Sequence, residues 1–94
     1  MTFRTEEVAR ALLAKGFREV SGRRHRKFVL CYQGKQTMIR TELSYGSKNI
    51  GGDLLGAIKR QLHLDSLEQL SEFIKCPMEY ADYIAHLQSK GVQL

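Results

Sequence analysis

His25-Arg26-Lys27-Phe28-Val29-Leu30-Cys31-Tyr32-Gln33-Gly34-Lys35-Gln36-Thr37-Met38-Ile39-Arg40-Thr41 is the stretch on which the fold turns. Its first half has the β-branched and aromatic content of a strand, and its second half returns as another. Between them Gln33-Gly34-Lys35 reads as a hairpin turn, with Gly34 supplying a positive φ. Side chains alternate along a strand, so Phe28, Leu30 and Tyr32 share one face and His25, Lys27, Val29 and Cys31 the other. If the more aromatic face packs on helices, His25 and Lys27 look outward together.

Working outward, Phe17-Arg18-Glu19-Val20 is a short extended segment ended by Ser21-Gly22, which makes three sequential strands and an antiparallel meander. The helix before it runs from Thr5 to Gly16. Thr5 is its expected cap, Glu6 and Glu7 suit the positive end of the dipole, Lys15 suits the other end, and Gly16 suits a left-handed stop. After the meander, Glu42 to Gly52 reads as a polar, glycine-rich connection. A second helix follows over Asp53 to Leu62, with Leu54, Leu55, Ile58 and Leu62 as its apolar stripe. Ser66-Leu67-Glu68-Gln69 has the form of a capping box for a third helix. Cys76-Pro77 breaks that helix, and a fourth is expected from Pro77 to about Lys90, stopped by Gly91. The expected class is therefore α+β: an αβββα body with a three-stranded antiparallel sheet over residues 1–64 and a helical extension over 65–94, in a single domain.

Composition sets the outer bounds. Ninety-four residues, 43% of them hydrophobic and 27% charged, are ordinary for one globular domain. No apolar run approaches the roughly 20 residues of a membrane span and the N-terminus lacks the order of a signal peptide, so a cytoplasmic protein without membrane contact is expected. Cys31 and Cys76 form no CxxC pair, and reduced structural thiols are the expectation. Charge is divided unevenly: residues 1–62 hold 13 Lys+Arg against 5 Asp+Glu, and residues 63–94 hold 2 against 5. A basic body with a mildly acidic tail suits a body that meets a polyanion.

The chemistry narrows to one histidine. His25, His63, His86, Cys31 and Cys76 show none of the close paired spacings of a zinc site, so neither metal nor cofactor is expected. His63 at a helix end and His86 four residues after Asp82 read as local stabilisers. Gly51-Gly52 reads as a turn into the second helix, and Gly-Gly-Asp-Leu-Leu-Gly lacks the lysine of a P-loop. What remains is His25 set among Arg23, Arg24, Arg26 and Lys27. Cutting RNA without a metal needs a group that moves a proton at neutral pH and cations that hold the phosphorane, and these residue types supply both. A basic hairpin with a solvated histidine is the plainer alternative.

Gly22-Arg23-Arg24-His25-Arg26-Lys27-Phe28 resembles the Gly-Ser-His-His-x-Phe signature of the HicA (YcfA-like) toxin family. The run Thr41-Glu42-Leu43-Ser44-Tyr45-Gly46-Ser47-Lys48-Asn49-Ile50, with Leu54-Leu55, Ile58 and Arg60-Gln61, is similar to that family's second block, and Lys15-Gly16-Phe17 is similar to its first helix end. The likeness spans about residues 5–64. It implies a double-stranded-RNA-binding-like αβββα fold and an mRNA interferase toxin, with RNA as substrate and a HicB-type antitoxin as partner. The family's catalytic histidine maps onto His25, and Arg23, Arg24, Arg26, Lys27 and Lys48 are the expected RNA-binding cations. Arginines replace the small serine of the signature, Tyr45 stands where the family often has another histidine, and the last thirty residues have no counterpart in the minimal toxins. Those residues are expected to cover the RNA face, replace part of an antitoxin contact or build a dimer interface. The alternative function is a noncatalytic RNA-binding or protein-interaction module on the same scaffold.

Overall fold

A computed structural model describes residues 2–20, 22–46, 48–75 and 78–94. The elements run β1 (Thr2–Arg4), α1 (Thr5–Ala14), β2 (Phe17–Glu19), β3 (His25–Tyr32), β4 (Lys35–Ser44), β5 (Asn49–Gly51), α2 (Gly52–Gln61), α3 (Leu67–Lys75) and α4 (Tyr80–Ser89). The protein is α+β, and β2, β3 and β4 form the expected antiparallel meander in that order. Two strands lie beyond the expected αβββα body: β1 and β5 pair antiparallel as a second small sheet, with Phe3 opposite Ile50. Each contributes one buried apolar residue, too few for a periodic signal.

The β3–β4 hairpin closes through Gln33 and Gly34, at φ 51° and 76°. Positive φ at both central positions is the type I′ geometry that matches strand twist. The register then slips. Tyr32 pairs with Lys35 and Cys31 with Gln36, but Val29 pairs with Arg40, so Thr37, Met38 and Ile39 lie opposite Leu30 alone. A slip of two residues keeps every side chain on its own face, where a slip of one would have turned Ile39, Thr41 and Leu43 out to solvent. The Thr37 hydroxyl holds the bulge, donating to the Leu30 carbonyl at 2.9 Å and accepting from the Ile39 N–H at 3.1 Å. Met38 stands at its apex, 84% exposed.

Phe28 and Leu30 are fully buried, as alternation requires, and they meet one continuous core. Val8 and Leu12 of α1, Leu55 and Ile58 of α2, Leu70 and Phe73 of α3, and Tyr83 and Leu87 of α4 complete it. The last two helices therefore pack on the helix side of the sheet. Phe73 and Tyr83 meet edge to face at 4.9 Å, and the Tyr83 hydroxyl donates to the Leu62 carbonyl at 2.8 Å. Burial pushes the Tyr83 phenol well above its ordinary pKa. Lys15 is buried beneath α3, its Nζ 5.3 Å from the Phe73 ring centre.

Several local expectations shift. Arg4, not Thr5, is the N-cap of α1, and no side chain caps that end. Thr5 is instead the first helical residue, its N–H donating to the Lys48 carbonyl at 2.9 Å and its buried hydroxyl unpartnered. The Ser66 hydroxyl accepts from the Gln69 N–H at 3.1 Å as a capping box requires, but the Gln69 side chain reaches back to the Asp65 N–H, one residue early. In α4, Asp82 accepts from the Glu79 N–H at 3.0 Å rather than pairing with His86. His86 joins Gln69 and the His63 carbonyl, the latter at 2.7 Å. The fourth helix begins at Tyr80, and the expected start at Pro77, with Cys76 before it, lies outside the described residues. Gly16 and Gly91 do take positive φ, 86° and 75°, at the ends of α1 and α4.

Candidate functional site

The outward face of the meander carries Arg18, Val29 and Arg40 across its three strands, with Lys27, Glu42 and His25 further along. Among the described residues no helix covers it: Arg18, Val20, His25, Lys27, Met38, Arg40 and Glu42 are all exposed. Val29 is buried, 7% exposed between its cross-strand neighbours Arg18 and Arg40, and Cys31 and Ser44 are half-buried. Arginine carries an aliphatic stem long enough to lie over an apolar neighbour in this way. Lys27 lies opposite Glu42, which places Glu42 diagonally across from His25. The diagonal is within reach of long side chains, and the His25 Nδ1 lies 3.6 Å from the Glu42 carboxylate. That is ion-pair range but too long for a hydrogen bond. The two side chains are 48% and 46% exposed.

At one end of the sheet three segments converge. The Gly22 N–H donates to the His25 carbonyl at 3.0 Å, so the tip of the β2–β3 hairpin is Arg23-Arg24, one pair beyond the expected Ser21-Gly22. Ser21 lies outside the described residues. The Tyr45 hydroxyl donates to the Gly22 carbonyl at 2.9 Å, tying this tip to the loop that carries Lys48. The Lys48 carbonyl in turn accepts from the first residue of α1. Arg23, Arg24, His25, Lys27 and Lys48 are all exposed around this end.

Arg26 is placed differently from its neighbours. It lies on the Phe28 side of β3, its guanidinium 5.6 Å from that ring and its side chain 16% exposed. Nε and Nη2 donate to the two Glu19 oxygens at 2.9 and 3.1 Å, and Nη1 donates to Glu6. The Glu19 hydrogen bond, with Glu6 beside it, raises the Arg26 pKa further above its already high range. A guanidinium held this way fastens β2, β3 and α1 together and presents the tip; its donors are committed to carboxylates.

His25 and Glu42 together border a groove of about 180 Å³ between β4 and α2, lined further by Leu43, Ile50, Leu54, Ile58 and Gln61. The Gln61 side-chain carbonyl accepts from the Thr41 hydroxyl at 2.6 Å. Sequence reasoning reached His25 and its cations but not Glu42, Gln61 or this groove. Glu42 was hidden because the third strand reads as ending at Thr41, whereas β4 continues to Ser44. No group of three or more His, Cys, Asp or Glu able to hold a metal ion occurs among the described residues, and none of their helices is long and apolar enough to cross a membrane. Comparison of the chain with protein-family models, curated proteins and solved structures finds no match.

Proposed function

We propose that this chain is a HicA-like RNA-binding protein of the cytoplasm that cuts RNA without a metal, with a body of double-stranded-RNA-binding type and a HicB-type antitoxin as its partner. The observation that carries the reading is a half-exposed imidazole on an uncovered sheet face, at the end of the molecule where Arg23, Arg24, Lys27 and Lys48 are exposed. Glu42 beside Nδ1 favours the tautomer that keeps a proton there, leaving Nε2 to exchange one with substrate. In the step itself a ribose 2′-oxygen attacks phosphorus, the bond to the 5′-oxygen breaks, and the products are a 2′,3′-cyclic phosphate and a 5′-hydroxyl. The 2′ proton ends on the departing 5′-oxygen. His25 is the group that takes and returns it, the exposed cations hold the phosphorane charge, and Arg26 keeps their hairpin in place.

Purified protein incubated with single-stranded RNA in chelator is expected to cut it, and His25→Ala to lose that cutting while keeping its circular dichroism. Equal cutting by both proteins would remove His25 from the reaction. The position of Glu42 favours a second reading. A carboxylate 3.6 Å from the ring repels a phosphate brought to the same place, which suits a module that binds RNA beside His25 and leaves it whole. RNA affinity that falls steeply with salt, with no cleavage by either protein, would establish that reading instead.

A further inference from the structure

We propose that the groove between β4 and α2 seats one unstacked base of a single-stranded RNA; this rests on the RNA reading above. Three observations meet there. The floor is apolar and part of the packed core, since Leu43, Ile50 and Ile58 are 2, 3 and 4% exposed. Leu54, by contrast, stands 54% exposed at the start of α2 as part of the same wall, an aliphatic surface left in water. The volume of about 180 Å³ is below the range of drug-sized pockets and suits a single planar ring system.

The rim is polar and directional. Thr41 occupies the Gln61 carbonyl, which fixes the amide plane and leaves its NH₂ to donate to acceptors on a base edge. His25 and the Glu42 carboxylate both border the groove, and the exposed cations of the hairpin tip lie beyond it, so a phosphate is drawn to the tip side of the ring, away from Glu42. A base in the groove therefore puts its own sugar and phosphate beside the imidazole, with positive charge available along the backbone. A duplex cannot do this, because its base faces are stacked and its edges paired. Base faces resting on apolar or aromatic surface, with cations tracking the backbone, is the general solution for single strands.

The test measures fluorescence anisotropy with 2′-O-methyl strands, which cannot be cut: a 12-nucleotide single strand, the same strand with abasic positions, and its duplex. The wild type is expected to bind the base-bearing strand about tenfold more tightly than the abasic one. Leu54→Ser is expected to lose that advantage and to bind the abasic strand as the wild type does. Gln61→Glu, which keeps an acceptor for Thr41 but removes the NH₂, is expected to change the ranking of the four homopolymer strands. Equal wild-type affinity for base-bearing and abasic strands, or a preference for duplex, would overturn the groove while leaving RNA binding intact. Failure to bind any strand at low salt would overturn the RNA reading itself, and the groove with it.

Discussion

Replacing Gly16 by alanine tests how the C-terminal helices are seated on the body. Gly16 has φ +86°, and a Cβ built there would lie 2.3 Å from Tyr80 Cε1 and 2.7 Å from Cδ1. The ring is not free to swing aside without loss, because the Tyr80 hydroxyl donates to the Cys31 carbonyl at 3.2 Å. Two costs add. A left-handed alanine costs about 1–2 kcal/mol, and overpacking a filled site about 1–3 kcal/mol, so Gly16→Ala should destabilise by about 2–5 kcal/mol. That is a large share of the roughly 5–14 kcal/mol expected for a domain of this length. Urea unfolding would show it as a lower midpoint at unchanged slope. In a Tyr80→Ala background the clash is gone and only the backbone cost remains, so the same substitution should then cost about 1–2 kcal/mol. An equal cost in both backgrounds would mean that α4 does not rest on Gly16, and the packing of the extension against the helix side of the sheet would be refuted.

Arg26→Ala should destabilise by about 2 kcal/mol in the same assay, since it leaves Glu19 without its two charged hydrogen bonds. Glu6→Ala, whose side chain is 70% exposed, should cost no more than about 0.5 kcal/mol. Asp65 is held below its ordinary pKa, chiefly by its hydrogen bond to Lys90. A carboxylate with a depressed folded-state pKa adds stability above its unfolded-state pKa and loses it as pH falls through the folded-state value, so the gap in thermal stability between wild type and Asp65→Asn should close on acidification. If Arg23, Arg24, Lys27 and Lys48 each meet one phosphate, log affinity for single-stranded RNA should fall against log salt with a slope of about −3, and Arg23→Ala with Arg24→Ala should bring it to about −1.5. An unchanged slope would remove the hairpin tip from the interface.

Much of the frame was legible because it is written in local chemistry. The alternation of Phe28 and Leu30 with Lys27 and Val29 sets the two faces of β3, and Gly34 sets the turn that follows. Gly16 and Gly91 mark helix ends for the same reason: each needs a φ that other residues adopt at a cost. The β1–β5 sheet was not legible, since three-residue strands joined across some 45 positions of chain leave no period to read. Nor was the role of Arg26, because a run of four cations around a histidine looks uniform until the strand turns one of them toward Glu19 and Glu6.

The sequence by itself determined the meander, the side of it that His25 and Lys27 occupy, and the net positive charge of the first two thirds of the chain. Those follow from residue-level preferences that act over a few neighbours. Tertiary structure decided which carboxylate meets His25, which arginine is committed to holding the fold, and that α3 and α4 fill the core and leave the outer face bare. Each of these depends on a two-residue slip between strands or on a contact between distant segments, and neither is encoded in the spacing of any one stretch.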